Sequence, residues 1–520
     1  MLRKIPLFLL IFLLMICLGG CAGGGGGDDA GLPDGEEIQT GDDGGTPGDD
    51  GGTPGDDATE IPVELTLEPI NSWQRGPVRV YFSISGPGGQ AVDLRFDYST
   101  DGQTFLPATV LSGYQPDITL DPAGAPGVFV WDSKSDVATD EAAVTIRGTP
   151  SVGNTNYDPA TTGPFELLNA PDRDRPVVVA HPYDANSNPG TLASVLMLRS
   201  DGTLEDTGVD LACGLAPALA AFTKDGRFGV VLGEGPGHNQ HNLAPFAVDR
   251  TGTLTRVGGV INIRDLGFSG ADLAPAPDGS GIWLVHRTGE GGLFFLSFEG
   301  AEPHVRPAEP SGYNLFPITL PASMAILPDN RRAVISGGAL SIDDPPYDIT
   351  LVDLFSGTIL DQQVMGVGSM ADKTAVTSDG TRALIPSADP WGAGNHQVMV
   401  VSLGSDSVLS WHGVAVPYPS WVAIHPGDGA ALVTSWDDDS VTVLDLSADP
   451  PVATQTIPGV PLADHLDCVQ EGSLAGLCLV SAVTDLAIIA LENDGTVSLS
   501  PPFAFGDGVE NITTGPAIFP

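Results

Sequence analysis

The side chains that could do chemistry concentrate in residues 170–520 of this 520-residue chain, and many are histidines. His238 and His241 lie three positions apart in a polar segment, and Glu234 precedes them closely. Imidazole and carboxylate are ligands that zinc accepts, and carboxylates suit calcium. A divalent metal, Ca or Zn, is therefore one interpretation of this segment, and a loop built from turn-forming residues is the other. No other cofactor is predicted.

Hydrolysis of an ester or lactone would need a base and a cation that stabilises developing negative charge. Glu234, His286 and Arg287 are the candidates for these catalytic roles. The sequence contains no Gly-x-Ser-x-Gly elbow, no His-Glu-x-x-His pair and no phosphate loop. Whether the chain is an enzyme therefore stays open. The candidates for ligand binding are His181, His238, His241, His396, Trp391 and Trp436.

A repeat of about 50 residues must position these side chains. Each repeat has a turn signal, such as Asp225-Gly226, Asp278-Gly279 or Asp379-Gly380, followed by an apolar run and, after a loop, by a second apolar run. Four antiparallel strands at this spacing form one blade of a β-propeller. Seven such blades fit residues 170–520.

The two ends of the repeat region complement each other. Gly515 to Pro520 matches the inner-strand phrase of other repeats, as in Met324 to Pro328. The first repeat begins at its turn, with Asp172, and has no inner strand of its own. Pairing the carboxyl-terminal segment into the first blade would leave no open edge, so the sequence predicts a closed ring.

The residue pattern of the fifth and sixth repeats resembles YVTN-type repeats and the seven-bladed lactonase-like propellers. An example of this pattern is Ser440-Val441-Thr442-Val443-Leu444-Asp445-Leu446. The resemblance implies a ligand face built from the loops between second and third strands and from the loops that enter each inner strand. The latter include Lys373 and His465. Members of the lactonase family use His, Glu and Arg on this face, but no family catalytic motif matches here residue by residue.

Residues 61–169 change to alternating apolar and polar positions, as in Val78 to Ile84, with turns between the runs. About seven strands in roughly a hundred residues predict a β-sandwich. The phrase from Asp97 to Phe105, with Phe129 to Asp132 later, resembles fibronectin type III and immunoglobulin-like modules of bacterial surface proteins. A spacer and an adhesive module are the two alternatives.

The amino terminus has the features of a secretory signal in residues 1–20: Arg3 and Lys4, then a short apolar run. Leu18-Gly19-Gly20-Cys21 resembles the lipobox of bacterial lipoproteins, which implies acylation of Cys21 and anchoring to a membrane through lipid. Ala22 after the cysteine implies sorting to the outer membrane. Residues 21–60 contain a repeated Gly-Asp-Asp-Gly-Gly-Thr-Pro unit with almost no apolar side chains, which predicts a disordered acidic tether.

Charge and cysteine content limit the remaining classes. With 66 acidic and 21 basic residues the net charge is -45, which excludes nucleic acid as a partner. Cys468 and Cys478 flank a predicted hairpin turn, so they could form a disulfide or remain two buried thiols, and Cys213 would stay unpaired.

Together these patterns predict an all-β chain, with a β-sandwich followed by a seven-bladed β-propeller that the carboxyl-terminal strand closes. The first functional hypothesis is a lipid-anchored cell-surface protein that presents the propeller to a protein or glycan ligand. The alternative is an extracytoplasmic lactonase-like hydrolase or lyase that acts at the mouth of the propeller channel.

Overall fold

A computed structural model of the chain describes residues 62–113, 117–183, 188–234, 241–263, 270–286, 292–299, 302–307, 321–337, 348–364, 373–388, 396–435, 437–482, 485–505 and 512–520. Residues 61–520 form one compact unit. Cys21, the signal and the tether lie outside the described residues. No helix in the described part is long and apolar enough to cross a bilayer.

Eleven strands build the first part of this unit. They are β1 (Glu64–Leu67), β2 (Pro77–Ser85), β3 (Ala91–Ser99), β4 (Leu106–Pro107), β5 (Val110–Ser112), β6 (Ile118–Thr119), β7 (Ala125–Asp132), β8 (Asp140–Val152), β9 (Thr155–Asn156), β10 (Ala160–Thr161) and β11 (Phe165–Leu168). One sheet has the order β1-β2-β7-β5, and the other has β10-β8-β3-β4 with β6, β9 and β11 attached. One shared apolar core packs these strands as a β-sandwich.

The core of the sandwich joins the two phrases that stood out in the sequence. Tyr98 of β3 stacks on Trp131 of β7, with ring centroids 5.0 Å apart. The helix α1 (Ser133–Asp136) follows β7, and Asp136 accepts a hydrogen bond of 2.6 Å from the Trp131 indole N–H. The buried indole therefore keeps a polar partner, as buried tryptophans generally do.

Seven four-stranded antiparallel blades follow the sandwich. Their strands are β12 (Arg175–Tyr183), β13 (Leu192–Leu198) and β14 (Leu204–Ala212) in blade 1; β15 (Pro217–Phe222), β16 (Phe228–Glu234), β17 (His241–Val248), β18 (Leu254–Arg256) and the additional β19 (Ile261–Asn262) in blade 2; β20 (Gly270–Pro275), β21 (Gly281–His286), β22 (Gly292–Glu299) and β23 (Glu302–Pro307) in blade 3; and β24 (Pro321–Ile326), β25 (Arg332–Gly337), β26 (Asp348–Asp353) and β27 (Thr358–Val364) in blade 4.

The last three blades continue the pattern. Their strands are β28 (Ala375–Val376), β29 (Arg382–Ser387), β30 (Gln397–Leu403) and β31 (Val408–Ala415) in blade 5; β32 (Pro419–Ile424), β33 (Ala430–Ser435), β34 (Ser440–Asp445) and β35 (Val452–Pro458) in blade 6; and β36 (Leu466–Cys468), β37 (Leu477–Ala482), β38 (Asp485–Leu491) and β39 (Val497–Ala504) in blade 7.

The final strand, β40 (Ile512–Ile518), is the innermost strand of blade 1. It pairs antiparallel with β12, where Val177 lies opposite Ile518 and Val178 opposite Ala517. The inner strands contact one another in sequence around the ring, and both β36 and β15 contact β40. The predicted closure by the carboxyl-terminal strand is thus confirmed.

The turn from each inner strand to its second strand, called the inner turn below, explains the recurring turn signal. Gly226, Gly279 and Gly380 have φ values of +70°, +69° and +69°. This left-handed region favours glycine because it has no Cβ. Asn330 and Asp428 occupy it in blades 4 and 6. The preceding aspartate, for example in blade 5, accepts a hydrogen bond of 2.9 Å from the N–H two residues on.

The sandwich contacts the end of the propeller where the inner turns lie. Glu471, in the inner turn of blade 7, forms ion pairs with the sandwich residues Arg75 and Lys134. Arg79 of the sandwich pairs with Asp278 in the inner turn of blade 3 at 3.0 Å. The sandwich is therefore joined to the inner turns of blades 7 and 3.

The joint between the sandwich and the propeller lies at the seam of the ring, where the carboxyl-terminal strand β40 pairs into blade 1. Arg175 of β12 donates to the Phe519 carbonyl at 3.2 Å and reaches Glu471 at 3.4 Å. The Arg75 guanidinium, which is buried, lies 5.3 Å from the centre of the Phe519 ring. Burial lowers the pKa of Arg75 to about 10 despite the charge of Glu471. Cations from the sandwich and from blade 1 thus meet one carboxylate of blade 7.

Candidate functional site

One backbone hydrogen bond repeats in all seven blades and aligns their inner strands. It runs from the N–H just beyond the inner strand to a carbonyl of the second strand, and its donors are Thr223, Ala276, Leu327, Thr377, His425, Val469 and Phe519. The residues four positions earlier are Leu219, Asp272, Ser323, Lys373, Trp421, His465 and Gly515, which we call the channel ring. Since every inner strand runs toward its inner turn, this ring lies toward the end away from the sandwich.

The centre of the channel ring is a buried ion pair. The Lys373 ammonium donates to Asp272 at 2.7 Å and to the Leu273 carbonyl at 2.9 Å. Asp272 is 1% exposed, and its carboxylate also accepts backbone N–H groups of Leu273 at 2.8 Å and Met324 at 3.0 Å. The pair joins blades 3 and 5, and the Met324 bond covers a backbone donor that the inner edge of blade 4 would otherwise leave exposed.

Aromatic contacts extend this cluster into blades 6 and 7. The Lys373 ammonium lies 5.6 Å from the centre of the Trp421 ring. The centres of the Trp421 and His465 rings are 4.2 Å apart. Trp421 is buried, so neighbouring side chains occupy its surface and it offers little area for a ligand to stack on.

His465 has a carboxylate beside it. Its Nδ1 atom lies 3.1 Å from Asp464 Oδ2. Burial alone would raise the pKa of Asp464, but the charge and hydrogen bond of His465 hold that pKa below its usual value. An imidazole beside a carboxylate can act as a general base, and an ammonium in the same ring can stabilise negative charge. The channel ring therefore contains the group types that acyl chemistry and polar ligand binding both require.

A second layer lies two residues closer to the inner turns. In six blades it is alanine, namely Ala221, Ala274, Ala325, Ala375, Ala423 and Ala517, and in blade 7 it is Asp467. The Asp467 carboxylate accepts N–H groups of Ile518 at 2.8 Å and Cys468 at 2.9 Å. Burial raises the pKa of Asp467 to about 6, although these hydrogen bonds oppose the shift. The channel wall is thus apolar at this level except for one carboxyl group.

Of the histidines predicted to bind a ligand, those that the structure describes are not members of the channel ring. His181 is buried within β12, where its Nε2 atom lies 2.9 Å from the Ser194 hydroxyl and its ring packs edge-on against Phe505. Burial lowers the pKa of His181 to about 4, so the ring is neutral at physiological pH. His396 is half-buried, with its ring 4.0 Å from that of Tyr418. Trp391 and Trp436 lie outside the described residues.

The metal and catalytic candidates are only partly described. Glu234 ends β16 and His241 begins β17, directly opposite each other in register, so these residues belong to strands where a loop was expected. His241 is buried, while His238 and Arg287 lie outside the described residues. His286 ends β21 opposite Gly270 and Gly292. Within the described ranges, no group of three or more His, Cys, Asp or Glu side chains could hold a metal.

Cys468 and Cys478 are joined by a disulfide, and they lie directly opposite each other in the pairing of β36 with β37. Of the two alternatives for these cysteines, the structure therefore has the bond. Cys213 is free and buried, and burial raises the pKa of its thiol to about 12. This thiol stays protonated and is not a nucleophile.

Sequence reasoning named Lys373 and His465 as loop residues of the ligand face but missed their partners Asp272, Trp421 and Asp464. Each of the seven repeats has a different residue at the ring position, so the position does not stand out in any single repeat. Aligning the seven inner strands on their turns would have shown that it carries polar or aromatic side chains in blades 3 to 7.

Solved structures share this architecture. A candidate 6-phosphogluconolactonase from Bacteroides fragilis matches with a TM-score of 0.50 at 12% identity, covering 67% of this chain and 98% of its own. A second candidate 6-phosphogluconolactonase, from Bacteroides uniformis, matches with a TM-score of 0.51 at 10% identity, covering 66% and 99%. The fold is that of a lactonase-like propeller. At this identity the likeness shows the fold alone. No family model and no curated protein matches the chain.

Proposed function

We propose that the protein is a lipid-anchored cell-surface protein whose propeller binds a polar ligand, a glycan or a polar segment of a protein, at the channel ring. The observation that supports this most is that the two ends of the propeller carry different contacts. Ion pairs attach the sandwich to the inner-turn end, and the ring with Lys373, Asp272 and His465 lies toward the other end.

The chemistry of the ring favours a hydroxyl-rich ligand over an apolar one. Lys373 and His465, the half-buried polar members of the ring, are side chains that donate or accept hydrogen bonds. Trp421 is enclosed by the ring, so binding would rest on hydrogen bonds and not on stacking. Pockets in which a few placed polar groups fix the ligand are typical of small-molecule sites.

A glycan array probed with the purified chain tests the binding proposal. We expect a signal for a restricted set of glycans that His465→Ala reduces by roughly tenfold, the effect of losing one hydrogen bond to a charged or polar group. His412→Ala, on the exposed outermost strand β31 of blade 5, is the matched control and should bind like the wild type. Unchanged binding by His465→Ala would place any glycan site elsewhere.

The anchoring part of the proposal rests on Cys21. Replacing it, Cys21→Ser, should move the protein from the membrane fraction to the soluble fraction with the propeller still folded. Fractionation with a protease-protection assay on whole cells measures both anchoring and surface exposure. Retention of Cys21→Ser in the membrane fraction would contradict the anchoring proposal and leave the binding proposal to its own test.

The second candidate function is a lactone hydrolase. The specific observation in its favour is the Asp464–His465 pair in the same ring as the Lys373 ammonium, a base and a cation around one channel. Glucono-δ-lactone hydrolysis, followed by pH-stat above the spontaneous rate, is the assay. Loss of turnover in both His465→Ala and Lys373→Met, with His412→Ala active, would favour the enzyme, and a wild type indistinguishable from buffer would exclude this activity.

A further inference from the structure

A cavity of about 280 Å³ lies where the sandwich meets the first two blades of the propeller. This volume is close to the lower end of small-molecule pockets, roughly 300 Å³. Three segments enclose the cavity: the loop between β1 and β2, the link from β11 to β12, and the turn between β17 and β18. It therefore lies at the sandwich end of the propeller, away from the channel ring. Its lining includes Trp73, Arg173, Asp174, Asp249, Arg250 and Phe519.

Apolar side chains from both domains line part of the cavity. Phe519, which follows the closing strand, and Pro176 of β12 are buried residues that border it. Trp73 of the sandwich is half-buried and packs against the core cluster that contains Phe519. A ring that laid its C–H face on these side chains would remove apolar surface from water, which is favourable. This part of the cavity therefore favours a ligand with a flat apolar face.

Two hydrogen-bond donors beside these apolar groups have spare capacity. The indole N–H of Trp73 makes no hydrogen bond with any residue that the structure describes and is open to solvent, whereas the indole N–H of Trp131 donates to Asp136. Arg173 is half-buried, and its guanidinium donates once, to the Leu168 carbonyl at 3.2 Å. Arg173 forms no ion pair within the described ranges. Since a guanidinium has five N–H donors, most of them remain for a ligand.

The blade 2 turn adds an acceptor. Oδ1 of Asp249 accepts the N–H and the hydroxyl of Thr251 at 2.8 Å and 2.6 Å, and the N–H of Thr253 at 3.0 Å. These bonds fix the carboxylate in the turn. Oδ2 of Asp249 has no hydrogen-bond partner among the described residues. Spare donors together with a spare acceptor match hydroxyl groups, which both donate and accept.

The charges that line the cavity are balanced. They are the cations Arg173 and Arg250 and the carboxylates Asp174 and Asp249. Just beyond the lining, Arg199 pairs with Asp174 at 2.7 Å and Glu166 lies 3.5 Å from Arg250. The cavity therefore has no excess of positive charge that would attract an anion into a protein of net charge -45. The lining favours a neutral ligand.

We propose that this cavity binds one neutral sugar unit in its pyranose form. The C–H face of the sugar ring would lie against Trp73 and Phe519, and its hydroxyl groups would bond to Arg173 and Asp249. A pyranose combines the two features that the cavity selects, an apolar face and an edge of hydroxyl groups. The site is separate from the channel ring and does not rest on the function proposed above.

Saturation-transfer NMR on the full chain tests the proposal, with the methyl glycosides of glucose, galactose, mannose and xylose as probes. We expect transfer to the ring C–H protons of at least one glycoside. Arg173→Ala should raise the Kd of that glycoside about tenfold, the usual effect of losing one hydrogen bond to a charged group. Trp73→Phe keeps the apolar contact but loses the N–H, so it should weaken binding less than Trp73→Ala does.

Matched controls come from exposed side chains elsewhere. Arg95→Ala, on the sandwich strand β3, and Trp411→Ala, on the outer strand β31, should bind like the wild type. Trp73 packs against a core cluster, so Trp73→Ala is read only if its urea midpoint stays close to that of the wild type. Arg173 makes one hydrogen bond to the described residues, so Arg173→Ala should fold normally and carries the test by itself.

Four results would overturn the proposal. The first is no transfer to any glycoside, and the second is equal affinity of Arg173→Ala and the wild type. The third is loss of binding in His465→Ala, which would place the sugar at the channel ring. The fourth is tighter binding of methyl glucuronide than of methyl glucoside, which would show that the cavity selects an anion.

Discussion

The two ends of the propeller channel are built from similar charged side chains, but these side chains join different parts of the molecule. At the inner-turn end, Arg75, Lys134 and Arg175 converge on Glu471, so the charges join two domains and the seam of the ring. At the other end, Lys373 and Asp272 join blades within the ring, and His465 and Asp464 continue the cluster. The difference teaches that the first cluster joins two domains, whereas the second joins blades of one domain and includes the half-buried side chains of Lys373 and His465.

Removing the carboxylate of the joint should have the largest effect of the changes considered. Glu471→Gln leaves three buried or half-buried cations without their anion, and breaking a buried ion network in this way costs about 3 kcal/mol or more. The free energy of unfolding from urea titrations measures this loss. Glu205→Gln, in an exposed ion pair of blade 1, should cost less than about 0.5 kcal/mol, and an equal cost would show that the joint is no stronger than a surface pair.

At the other end the matching change is Lys373→Met. It leaves the buried Asp272 carboxylate with only its backbone N–H partners, so we expect a loss of about 2 kcal/mol. The double variant Asp272→Asn with Lys373→Met should recover part of that loss, because no uncompensated charge remains. If the single and double variants unfold at the same urea concentration, the ion pair does not carry the stability of the ring.

The disulfide belongs to the hairpin that presents Glu471 to the sandwich. Replacing both Cys468 and Cys478 by serine releases a short loop, a sequence separation of 10 residues, from its covalent constraint. The expected loss is about 2–3 kcal/mol in the chain-entropy view of disulfides. Thermal unfolding with and without reductant gives the measurement, and reductant should not affect the serine variant.

Asp467 lies between the two ends of the channel, and its ionisation should make the free energy of unfolding depend on pH. Its pKa is raised to about 6 in the folded protein, so the folded state binds this proton more tightly than the unfolded state. Stability from this group is greatest below the unfolded pKa and is lost as pH rises from about 4 to about 6. Asp467→Asn should therefore gain up to about 2 kcal/mol over the wild type above pH 6 and lose this advantage near pH 4. Parallel pH profiles would contradict this.

Much of the architecture followed from short-range patterns. The Asp-Gly turns predicted the blades because only a few residues tolerate the left-handed backbone of the inner turn, and Gly226, Gly279 and Gly380 adopt it. The match of Gly515 to Pro520 with other inner strands predicted closure for the same local reason, since a strand without a partner must find one.

The candidate site was only partly predictable. His181 and His241 were taken for ligand-facing residues because they follow apolar runs, but the strands extend through them and bury them. Trp421 and Asp272 belong to a ring whose members are about 50 residues apart, and no local pattern marks such a position.

The sequence by itself determined the all-β class, the seven repeats and the closing strand, because turn residues and apolar runs act over a few positions. Only the tertiary structure decided that Lys373 meets Asp272, that His465 lies beside Trp421, and that the sandwich is fastened to the seam through Glu471. These contacts depend on the angle and order in which blades and sandwich pack, which long-range geometry fixes.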